Sequence, residues 1–135
     1  MPGGKSLYLE SKLLDHALGG GDYARPATVY VGLFITMPTD GGVGGVEPIT
    51  GGYVRIAVTN NATNWPAAVD GVKHNGIAIT WAAFSAPMPT FLGAGIWDAA
   101  TAGNLLYWGP FTTPRTVLAG ETFEIPLAGG TLSET

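Results

Sequence analysis

The sequence predicts a mainly β domain: an antiparallel β-sandwich of jelly-roll-like form with one N-terminal α-helix. Three observations lead there. A single segment near the N-terminus has an apolar repeat of helical period, and after it the repeat shifts toward two, the period of strands. Twenty-one glycines and ten prolines punctuate the strand-like runs at turn-like spacings. No helical stretch separates successive strand candidates, so the crossovers of a parallel sheet are missing. The 135 residues make one domain, 1–135, able to bury roughly two thirds of its unfolded surface.

The helix is expected over residues 6–18, SLYLESKLLDHAL. Ser6 is an N-cap type, and Gly19-Gly20-Gly21 supplies a stop. At about 100° per residue, Leu7, Leu9, Leu13, Leu14, Ala17 and Leu18 span about half the circumference. Tyr8, Ser11, Lys12, Asp15 and His16 fall on the other half, and Glu10 interrupts the apolar arc. Two packings stay open: the helix lies on its own sheet, or swings on its glycine tether to dock on a neighbouring subunit.

Strands are expected at 28–35, 53–59, 76–81, 90–97, 105–111 and 121–127, making a sandwich over 28–127. In the second, Val54, Ile56 and Val58 face one side, while Tyr53, Arg55, Ala57 and Thr59 face the other. Gly93-Ala94-Gly95 within a strand suits close approach of another backbone. Residues 37–52, MPTDGGVGGVEPITGG, form a sixteen-residue connection with six glycines. Loops that long in compact domains usually work or float, so a flexible tip and a partner contact are the two main readings. Asp40 and Glu47 are too few and too poorly spaced for a calcium loop.

Composition excludes several chemistries. No cysteine means no disulfide framework, thiol nucleophile, zinc knuckle or iron–sulfur site. Six Lys and Arg against ten Asp and Glu give a net charge of −4, the wrong balance for a nucleic-acid partner. No run approaches the length of a membrane span. Glu10, Lys12 and Asp15 break any signal-peptide core at residues 5–18, so the chain reads as made and kept in a cytoplasm. Charged residues are only 12% of the chain and mean hydropathy is +0.24, which predicts a bland surface partly covered by other protein.

Catalytic constellations are not found. His16 lies on the polar helix face and His74 in the turn-like DGVKHN, both read as solvated. Ser85 in AFSAP lacks the glycines of a nucleophile elbow, and no phosphate-binding or metalloprotease motif occurs. The expectation is no enzyme, no cofactor and no metal. Trp65, Trp81, Trp97 and Trp108 are read mainly as core, with Trp65 in TNWPA the best candidate for a surface, sugar-stacking ring.

Five segments carry a family likeness: LESKLLDHALGG (9–20), ARPATVYVGLF (24–34), GGYVRIAVTNNATNWPAA (51–68), GIAITW (76–81) and GIWDAATAGNLLYWGPF (95–111). In this order they resemble a family of small tailed-bacteriophage virion proteins, variously labelled tail-fibre-like, minor tail or head-decoration. The likeness covers roughly residues 6–127, with the 98–106 turn and the 51–66 strand most distinctive. It implies a non-enzymatic building block present in many copies on a virion and assembled in the bacterial host cytoplasm.

The first expectation is therefore a capsid decoration or cement subunit bridging the major capsid protein. The alternative is a tail-fibre, minor tail or baseplate component that touches the host surface. A carbohydrate-binding module comes third. A homo-oligomer, provisionally a trimer, is expected, with other virion proteins as partners and neither nucleic acid nor membrane. Leu7, Tyr8, Leu9, Glu10, Leu13, Leu14, Val43, Val46, Ile49 and Trp65 are the expected protein–protein contacts.

Overall fold

Ser6 fixes how the chain begins. In the computed structural model, which describes residues 4–39, 41–127 and 129–133, its Oγ accepts the Leu9 N–H at 3.2 Å. The same hydroxyl donates to the Leu105 carbonyl, and the Ser6 N–H reaches Leu106 O at 2.9 Å. One side chain thus caps α1 (Leu7–Ala17) and ties it to strand β7 (Leu105–Arg115). Just before it, β1 (Gly4–Lys5) pairs antiparallel with Tyr107 and Trp108. The helix therefore lies on its own domain, and the swinging-helix expectation is corrected.

The remaining strands are β2 (Thr28–Phe34), β3 (Ile56–Thr59), β4 (Val72–His74), β5 (Ile79–Trp81), β6 (Phe91–Trp97), β8 (Phe123–Ile125) and β9 (Thr131–Ser133). A five-stranded antiparallel sheet has the order β1-β7-β6-β2-β3. The antiparallel pairs β4–β9 and β5–β8, each joining segments far apart in the chain, form two small sheets. The result is sandwich-like, mainly β, with an N-terminal helix, as expected. The strands that sequence periodicity misses, β1, β4 and β9, have two or three residues each, too few to show a period of two.

Register assigns the two faces of the large sheet. Val31 opposes Ile96 and Leu33 opposes Ala94, and these face the core together with Val29 and Val58. Phe91 shares the parity of Gly93 yet points into the same core. A register shift between Phe91 and Gly93 lets the side chain change face. Phe91 and Phe123 meet edge-on at 5.2 Å, and Trp81 and Phe111 each stand 5.7 Å from Phe123. The Trp81 indole N–H, buried among them, is satisfied by Val54 O at 3.0 Å. Each buried ring contributes about 1.5–3 kcal/mol.

The opposite face is covered by residues 35–55, which overturns the reading of 37–52 as a floating tip. Ile35 and Thr36 donate to Val46 O, and Thr39 donates to Val43 O at 2.8 Å. The Glu47 carboxylate takes three hydrogen bonds: Tyr53 Oη–H at 2.7 Å, Arg55 Nε–H at 3.0 Å and Arg55 Nη2–H at 2.8 Å. Arg55 also spans to Ala99 O and Ala102 O and stacks 4.0 Å over the Trp97 ring. Gly32 makes this possible, since a Cβ there would stand 2.6–2.8 Å from Tyr53 Oη, Trp97 and Glu47 Oε1. Glu47 thus acts as an anchor; Asp40 lies outside the described residues.

Candidate interaction surface

Three of the ten expected contact residues share one exposed face. Leu7 and Leu14 sit seven residues apart on α1, nearly in line, and are 60% and 63% exposed. The 36–46 hairpin reaches this face. Leu7 N–H donates to Gly41 O at 2.9 Å, and a Cβ on Gly41 would touch the Leu7 side chain at 2.9 Å. Val43, exposed in the same turn, extends the apolar ridge; Val46 is exposed farther along the hairpin. Leu18, also exposed, continues the row four residues past Leu14.

Other expected contacts lie elsewhere. Leu9 is 2% exposed inside the core, so it is removed from the contact set; Tyr8 and Leu13 are half-buried against that core. Glu10 is half-buried, at the interruption in the apolar arc. The arc is thus split: its middle packs inward while Leu7, Leu14 and Leu18 face outward. Ile49, 94% exposed, lies in a different loop, 47–54, whose Gly51 O accepts the Ser85 N–H. Val54, expected on one strand face with Ile56 and Val58, is instead exposed before that strand begins, and Leu118 is an exposed apolar residue that no periodic element flags.

Trp65, the best surface candidate among the tryptophans, is half-buried and packs against the core. Its indole N–H has no hydrogen-bond partner among the described residues, nor has that of Trp108. Trp65 forms part of a cleft of about 460 Å³ beside α1, and of a larger, uncharged one of about 710 Å³ between the large sheet and β5–β8. In the smaller cleft, burial, with Tyr8 and Asp98 nearby, raises the Tyr23 phenol pKa.

Titratable groups elsewhere hold structure. His16 Nδ1 accepts the Tyr23 N–H at 3.1 Å, with Asp22 3.8 Å away, and His74 is exposed in β4. No group of three or more metal-ligating side chains occurs among the described residues. No helix among them is long and apolar enough to cross a membrane. The 98–104 turn is also structural. Asp98 accepts the Asn104 N–H at 2.7 Å and its amide at 2.9 Å, while Arg55 grips the carbonyls of Ala99 and Ala102.

The family model described as "Podophage GP4 fiber I protein gp80" matches residues 4–133, a span running from β1 through β9. No curated protein matches the chain.

Proposed function

The chain belongs to the podophage GP4 fiber I protein gp80 family, and on that premise we propose that it is a non-enzymatic structural subunit of a phage tail fibre. The family match over the whole domain carries this reading. It supports the fibre role, expected second from the sequence, over capsid decoration, expected first, for which the family's description gives no support. Partners in this reading are copies of the chain and other tail proteins. The Leu7–Leu14–Val43 ridge is the surface they cover, since burying an exposed leucine contributes about 1.5–3 kcal/mol. The low charge of the chain helps, because few ions lose water when subunits pack.

The experiment is immunogold labelling of intact virions with antibody to this protein. Gold along the fibres is the expected result. Gold spread over the head would overturn the fibre reading and restore capsid decoration.

A further inference from the structure

We propose that the smaller cleft around Trp65 binds an acidic saccharide, one whose charge is a carboxylate. The site is independent of the fibre assignment. Its volume of about 460 Å³ suits a small sugar unit. Aromatic rings of Trp65, Tyr23 and Tyr107 contribute to its walls, and rings of this kind pack against the C–H faces of sugars.

The polar groups choose the charge. Arg25 and Lys73, two of the six cations of an acidic chain, line the cleft, and no carboxylate does. Asp98 comes close enough to Tyr23 to raise its pKa, but both its oxygens are held by Asn104. Arg25 makes no hydrogen bond or ion pair to a described residue, leaving its planar fork open for a carboxylate. Lys73 gives two N–H groups to Trp65 O and Pro66 O, which leaves a third. A neutral sugar calls for acceptors as well as donors, whereas the charged groups of this lining only donate.

The wall is held in place before any ligand arrives. Asn61 Oδ1 accepts the N–H groups of Thr63 and Asn64, Asn61 O accepts the Trp65 N–H, and Lys73 clamps the next two carbonyls. Asn60 is fastened to Pro26 O, beside Arg25. The Trp65 indole N–H, buried and unpartnered, has no hydrogen bond to lose when the ring adjusts to a guest. The larger cleft shares Trp65 but has no charged side chain in its lining, so Arg25 and Lys73 are the feature that singles this cleft out.

The test is isothermal titration of the full chain with three probes: trigalacturonate, the neutral trisaccharide maltotriose, and inorganic phosphate. Saturable binding of trigalacturonate is expected, at least tenfold tighter than either of the others. Arg25→Ala, at an exposed position that leaves the core intact, should weaken it at least tenfold. Trp65→Phe, which keeps an aromatic ring on the wall, should retain part of it. Maltotriose binding as well as the uronate would overturn the acidic specificity. Phosphate matching the uronate would reduce the site to an anion patch and overturn the saccharide. No binding of any probe, or an Arg25→Ala chain that binds unchanged, would overturn the proposal outright. None of these outcomes touches the location of the protein on the virion.

Discussion

Glu47 accepts from three donors on two side chains, and its partner Arg55 is 8% exposed against 23% for Glu47 itself. Removing one member of a buried pair leaves an uncompensated charge, which costs about 3–5 kcal/mol. Glu47→Ala should lose that much in urea denaturation, while the double change Glu47→Leu with Arg55→Met should recover most of it. Equal losses in both would show that the pair itself is not what holds the 35–55 segment. Tyr53 adds a pH signature. Burial, then its hydrogen bond to Glu47, pushes the phenol far above the ordinary value of 10.0. A folded pKa above the unfolded one means the stabilisation is complete below pH 10 and is lost as pH climbs past it. The slope is at most about 1.4 kcal/mol per pH unit. Thermal melts from pH 9 upward should show this decline in the native chain and a shallower one in Tyr53→Phe. None of this network was legible in the sequence. Glu47 and Arg55 read as isolated charges because their meeting depends on Gly32 clearing the space between them, a condition no local pattern records.

At the scale of elements, legibility followed length. The seven-residue strands β2 and β6 were expected within a residue of their observed ends. The expected close approach at Gly93 is real, since a Cβ there would lie 2.4 Å from Gly109 O. The expected strand at 53–59 begins only at Ile56, because Tyr53 and Arg55 turn to Glu47 instead of pairing in the sheet. The helix was legible from its cap and its stop, but its facing was not. The apolar arc is wider than the stripe β7 can cover, so Leu7 and Leu14 stay outside. Ser6 is where this element is most vulnerable. Ser6→Ala removes both the cap and the tie to Leu105 O, and loss of an N-cap alone costs about 0.5–2 kcal/mol. Hydrogen exchange should quicken across residues 7–17 and leave β2 and β6 protected. Uniform quickening would mean that α1 and the sheet unfold as one unit.

Across the whole molecule, apolar residues divide into two populations with different work. Leu9, Phe91 and Phe123 are buried together and decide whether the domain folds. Leu7, Leu14 and Val43 stand on the surface of a chain with few charges, where burying them against a neighbour strengthens assembly without altering the fold. This separation gives a test that stability measurements alone could not. Leu7→Asp with Leu14→Asp should change the melting temperature little, because both side chains are largely exposed. The same chain should fail to enter virions when it competes with the native protein during infection, read as its share of the fibre fraction. Leu9→Asp, two residues along the helix from Leu7, should instead abolish folding, since it puts a carboxylate among apolar groups with no partner. Efficient incorporation of the double variant would move the subunit contact off α1, and the loops carrying Ile49 and Leu118 would then be the next surface to alter.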